Sequence, residues 1–126
     1  MSRSVLIVDD EQHIRLLIEQ TLEELLDEGV ELYTASDGEE ALAAIEAQRP
    51  DLVFLDVMMP RQNGLEVARA VRGELGLADV HIVLLTAKGQ AHDREEGLAA
   101  GANRYLTKPF DPDELLAIAR EVLGDA

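Results

Sequence analysis

Asp9 and Asp10 close the apolar run Val5–Val8, Asp56 closes Leu52–Leu55, and Thr86 with the small Ala87 follows Ile82–Leu85. Lys108 stands two residues beyond Leu106. Taken singly each is ordinary: an Asp pair after a strand is often a helix cap, and a Thr or Lys at a strand end is usually structural. Brought to one edge of a sheet, they would form a pocket of three carboxylates, a hydroxyl and an ammonium, with three negative charges against one positive. Close carboxylates repel and raise one another's pKa, and a divalent cation would bring the cluster to neutrality. The chain has no cysteine, and no histidine lies beside these run ends. An oxygen-only donor set favours a hard ion such as Mg²⁺, with Mn²⁺ as a substitute. Mg²⁺, Lys and a hydroxyl also suit phosphoryl transfer, in which metal and ammonium neutralise the phosphoryl oxygens and a carboxylate is the nucleophile.

The elements that must position these residues alternate along the chain. Val5–Val8, Leu52–Leu55 and Ile82–Leu85 read as strong strands, and Leu32–Ala35 and Arg104–Leu106 as weaker ones. Ile14, Leu17, Ile18, Thr21, Leu22 and Leu25 keep one helical face apolar. Ser36 with Glu39 has the pattern of a capping box, and Ala41, Leu42 and Ile45 form the inward face behind it. A third helix follows Asn63-Gly64, with Leu65, Ala68 and Val71 inward, and a fourth with a thin apolar face spans Gln90 to Ala100, capped by Gly101. Asp111 caps a last helix that has Pro112 at its first position and Glu114 at its third. This is a (βα)5 order. The strong strands are continuous apolar runs, as in parallel strands covered by helices on both faces. In such sheets ligands sit at the carboxyl ends of the strands.

The bulk numbers agree. The chain has 126 residues, 47% apolar and 29% charged, enough for one domain with a real core. Its net charge of −15 at pH 7 repels phosphate backbones, so nucleic acid is not the expected partner. The N-terminal apolar run is too short for a signal peptide or a membrane span, and a cytoplasmic location is the expectation.

Four stretches, "LIVDDE", "LVFLDVMMPRQNG", "IVLLTA" and "GANRYLTKPFDPDEL", occur in an order that resembles a response-regulator receiver domain, and the single-domain chemotaxis regulators in particular. The resemblance covers about residues 4 to 123 and implies a flavodoxin-like five-stranded parallel sheet of order 2-1-3-4-5. It implies that Asp56 is the phosphoacceptor, taking its phosphoryl group from a histidine kinase or a histidine phosphotransfer protein. Asp10 would bind Mg²⁺ directly, Asp9 largely through water, and the Met58 carbonyl would be a further ligand. Lys108 would pair with Asp56 and contact the phosphoryl group. Thr86 and Tyr105 would be the switch pair, Ala87 would leave room for the phosphoryl group, and Met58 and Lys88 would flank it. The Lys108–Pro109 bond would be cis. The chain would catalyse only its own phosphorylation and slow dephosphorylation, and so would not be an enzyme in the ordinary sense. One departure stands out: Gln62 replaces a frequent second Met of the loop, which would loosen loop packing.

Other residues carry blander readings. Met59 is core filler; His13, His81 and His92 lack metal-ligand spacing and read as surface or strand-edge residues; Arg15, Arg61 and Arg94 read as solvated. An aspartyl-phosphate phosphatase of the haloacid-dehalogenase type would need a second Asp where Met58 stands, and a cap domain the chain has no room for. A pseudo-receiver that binds partners without phosphorylation is the remaining alternative, against which all the pocket positions are present. The expected output surface is the fourth helix, fifth strand and fifth helix, toward an unidentified downstream protein. The first helix and the loop after the fifth strand would dock the kinase. The expectation is a single receiver domain over residues 1–126 with no output domain, stand-alone, and either a monomer or a phosphorylation-linked dimer.

Overall fold

Apolar runs with no polar alternation can be buried only in a sheet covered on both sides, and that is their fate here. The computed structural model describes residues 3–59, 62–87 and 91–124, with residues 91–94 described by their backbone alone. Five strands, β1 (Arg3–Val8), β2 (Val30–Ala35), β3 (Leu52–Asp56), β4 (His81–Ala87) and β5 (Arg104–Lys108), form one parallel sheet in the order β2-β1-β3-β4-β5. The helices are α1 (Gln12–Thr21), α2 (Glu23–Leu26), α3 (Gly38–Gln48), α4 (Gly64–Arg72), α5 (Ala91–Ala100) and α6 (Pro112–Leu123).

Strand alternation sorts the core into two layers. Leu6, Val8, Val53, Leu55, Ile82 and Leu84 pack with Ala41 and Ile45 of α3, with Leu65, Val67, Ala68 and Val71 of α4, and with Ala100 of α5. Val5, Ile7, Leu52, Phe54, Val83, Leu85 and Leu106 pack on the other face with Ile18 of α1, Leu25 of α2, and Leu115, Ile118, Ala119 and Leu123 of α6. Phe54 is wholly buried at the centre, and its removal to Ala would cost about 3–5 kcal/mol.

Three local expectations are corrected. The first helix stops at Thr21, whose hydroxyl donates to the Leu17 carbonyl (2.8 Å), a back-bond of the kind that bends helices. The apolar face continues through Leu25 in the separate turn α2. The α3 cap is Asp37, whose carboxylate accepts from the Glu40 N–H (2.9 Å), while Ser36 bonds sideways to the Glu40 carboxylate. The capping box falls instead at α4, where Asn63 and Glu66 satisfy one another's backbone N–H groups. The predicted Asp111 cap with Pro112 behind it forms, although Asp111 accepts from Asp113. Arg120 of α6 pairs with Glu24 and Glu28, tying α2 to the last helix.

Candidate functional site

The register decides what meets at the carboxyl edge. Val8 lies beside Leu55 and Asp56 beside Leu85; Thr86 is level with Thr107 and Ala87 with Lys108. One oxygen from each of Asp9, Asp10 and Asp56 lies within 4.8 Å of the others. Asp9 is wholly buried and Asp56 is 4% exposed, whereas Asp10 is exposed and opens the cluster to solvent. Parity separates two faces of the edge. Asp56 continues the face of Leu52 and Phe54, and Lys108 that of Leu106, both toward α1 and α6. Thr86 continues the face of Ile82 and Leu84, and Tyr105 packs on that same side, toward α4 and α5.

Each pocket group has a defined hold. Asp9 Oδ1 accepts from the Glu11 N–H (2.9 Å), and Asp9 Oδ2 lies 2.8 Å from Lys108 Nζ. Asp56 Oδ1 accepts from the Met58 N–H (3.2 Å) and lies 3.4 Å from the same Lys108 ammonium. Lys108 therefore bridges two carboxylates and sits nearer to Asp9 than to Asp56, a partner the sequence reading did not assign. Burial opposes the lysine's charge, but the two carboxylates outweigh it and raise its pKa. Burial, with the Asp9 charge second, pushes the Asp56 carboxyl up to about 7 against the pull of Lys108 and the Met58 N–H. Burial disfavours the charged form of this carboxyl, and the neighbouring Asp9 charge adds to the effect. A hard divalent cation fits this donor set: oxygen ligands only, two of the carboxylates buried, and one side open.

Thr86 is buried, its hydroxyl 3.4 Å from the Leu106 carbonyl. Tyr105 is half-buried, Ala87 is exposed beside the pocket, and the Lys108–Pro109 bond is cis. Met58 is 61% exposed, so it is not core filler, whereas Met59 packs against the core. Lys88 and Arg61 lie outside the described residues, as do the side chains of His92 and Arg94. His13 is exposed beside Glu11, and His81 starts β4 at the end of the sheet away from the pocket.

Two features escaped the sequence reading. Arg15 is not solvated: its guanidinium donates to the Asp9 carbonyl at 2.6 Å. Nothing in the residue pattern marks a contact from a helix back across a loop. The backbone and Cβ of Gln62 press against Gly38, where an added Cβ would stand 2.6 Å from Gln62 Cβ and closer still to the Gln62 carbonyl oxygen. Gly64 is required for a similar reason, since a Cβ there would lie 2.5 Å from the Asp56 carbonyl oxygen.

Known proteins resemble this chain in sequence and fold. The model of the response regulator receiver domain matches residues 5–120. The alkaline phosphatase synthesis transcriptional regulatory protein PhoP of Bacillus subtilis is 42% identical over 98% of this chain, and 49% of its own length is covered. The phosphate regulon transcriptional regulatory protein PhoB of Pseudomonas aeruginosa is 41% identical over 98% of this chain and 52% of its own. The chain thus spans about half the length of these curated relatives. The chemotaxis response regulator CheY4 of Vibrio cholerae superposes with a TM-score of 0.84 at 39% identity, covering 98% of this chain and all of that one (100%). With the sheet order, the acidic edge and the family match in agreement, the chain belongs to the response regulator receiver domains of two-component systems.

Proposed function

We propose that the chain is a phosphorylation-activated receiver in which Asp56 accepts a phosphoryl group from a phosphohistidine donor. The observation that carries this reading is the buried Asp56 carboxyl, bridged to Asp9 by the Lys108 ammonium, with its pKa raised to about 7. Asp9, Asp10 and Asp56, with the Met58 carbonyl, would hold Mg²⁺, which supplies charge neutralisation for the phosphoryl oxygens. The deprotonated Asp56 oxygen attacks phosphorus in line with the P–N bond of the donor. That bond breaks, and the imidazole leaves with the bonding pair. Lys108 shifts its hydrogen bonding to the new phosphoryl oxygens, where its charge is worth more in a dry site than in water. The Met58 N–H, already on the Asp56 carboxylate, keeps the nucleophile aimed.

The output follows from parity. The chemistry lies toward α1 and α6, while Thr86 and Tyr105 lie toward α4 and α5. When Thr86 turns its hydroxyl to a phosphoryl oxygen, it vacates space into which Tyr105 rotates, and the α5–β5–α6 surface changes state. Leu16 and Leu17, 47% and 39% exposed on α1, suit the apolar face of a docking helix from a histidine kinase or phosphotransfer protein. The downstream partner is a protein that reads the switched surface, with the chain acting as a monomer or a phosphorylation-linked dimer in the cytoplasm. Among the described residues no helix is long and apolar enough to cross a membrane.

Acetyl phosphate with Mg²⁺ followed by intact mass measurement tests the reading. Wild type should gain one phosphoryl group, and Asp56→Ala none. No adduct on wild type would favour a pseudo-receiver that acts by contact alone, and an adduct on Asp56→Ala would place the chemistry elsewhere.

A further inference from the structure

We infer that Arg15 is a positioning residue for the acidic pocket: its guanidinium locks the peptide that joins Asp9 to Asp10 and so aims both carboxylates at one cation. The inference rests on the metal-binding part of the function proposed above. Arg15 Nη1 donates to the Asp9 carbonyl at 2.6 Å from one turn inside α1. The carbonyl of Asp9 and the N–H of Asp10 belong to the same planar peptide, so holding one sets the plane from which the Asp10 side chain leaves.

The turn between β1 and α1 has little else to hold that peptide. Glu11, the N-cap of α1, makes no side-chain capping bond, and the first turn carries no acidic residue. The Asp9 N–H reaches the Ala35 carbonyl only at 3.3 Å. The Asp9 carboxylate is gripped by the Glu11 N–H and by Lys108, but Lys108 also faces Asp56 and would be drawn toward an incoming phosphoryl group. Arg15 approaches the backbone rather than a carboxylate. It can keep its bond while the pocket loads, reacts and empties. Asp10 is exposed and its side chain hydrogen-bonds with the Asp56 carboxyl, so burial does not fix its direction.

Two other roles for Arg15 give different results. A residue that only ties α1 to β1 would affect stability and leave metal affinity unchanged. A residue that only adds positive charge near three carboxylates would weaken cation binding, so its removal would tighten it. The test is calorimetric titration of Mg²⁺ into the unphosphorylated full chain, beside melting in EDTA, for wild type, Arg15→Met and Arg15→Lys. Loss of a group that orients metal ligands weakens metal binding by about tenfold or more, and Arg15→Met is expected to do so with little change in the melting temperature in EDTA. Arg15→Lys keeps the charge and one donor and should recover part of the affinity. Unchanged or tighter Mg²⁺ binding by Arg15→Met overturns the inference, as does weakening that only tracks a lowered melting temperature. Failure of wild type itself to bind Mg²⁺ would instead bring down the proposed metal site, and this inference with it.

Discussion

The Asp56 carboxyl is 4% exposed, beside a second buried carboxylate, and burial with the Asp9 charge raises its pKa to about 7. An unfolded Asp ionises near pH 3.9, whereas the folded one keeps its proton up to about 7. Between those values the folded state binds more protons, so this group costs the fold progressively more stability as pH rises, and the full amount above about pH 7. Asp56→Asn should therefore raise the melting temperature in EDTA at pH 8, and the gain should shrink as pH falls toward 4. A gain independent of pH would mean the carboxyl is not held protonated. Met58 poses a second question at this scale. It is 61% exposed two residues after Asp56, and under the proposed phosphorylation its apolar side chain would restrict the approach of water to the phosphoryl group. Met58→Asn should speed loss of the phosphoryl group in a decay assay; unchanged or slower decay would remove Met58 from that role.

Two close backbone approaches hold the described parts of the β3–α4 connection, at Gly64 to the Asp56 carbonyl and at Gly38 to Gln62. Gly38 opens α3, and helix propensity alone would favour Ala there by about 1 kcal/mol. Overpacking against a backbone carbonyl costs about 1–3 kcal/mol, and backbone moves less readily than a side chain, so the cost wins. Gly38→Ala should destabilise the protein in urea melts and displace the amide signals of the β3–α4 loop; a stabilised variant would show that the loop yields freely. Legibility differed among the elements for physical reasons. β1, β3 and β4 announced themselves because strands buried on both faces need continuous apolar runs. β2 read short and weak because it lies at the sheet edge, where its four central residues, Glu31 to Thr34, are partly or fully exposed. Ser36 and Asp37 are both good caps, and local sequence could not choose between them. The choice fell to Asp37, and Ser36 then bonded to the Glu40 side chain instead.

Across the whole molecule, the net charge of −15 makes a bound cation favourable twice over, at the pocket and against general self-repulsion. A ligand that binds only the folded state stabilises it by about 2.7 kcal/mol at a hundred times its Kd. Mg²⁺ should therefore raise the melting temperature in a saturable way, and Asp10→Asn should blunt the rise. An equal rise in that variant would point to surface screening rather than a site. PhoP and PhoB, about twice as long, and CheY4, of nearly equal length, are similar to this chain over 98% of it. What residue order established is that carboxylates, a hydroxyl and an ammonium end successive buried runs, because apolar patterning and chain alternation are local properties. What the tertiary structure decided is how those groups meet. Lys108 reaches Asp9 across 99 residues of chain, Arg15 turns back on the Asp9 carbonyl, and Thr86 and Tyr105 fall on the opposite face from Asp56. Such contacts depend on strand order, register and packing, which are set jointly by residues far apart in sequence.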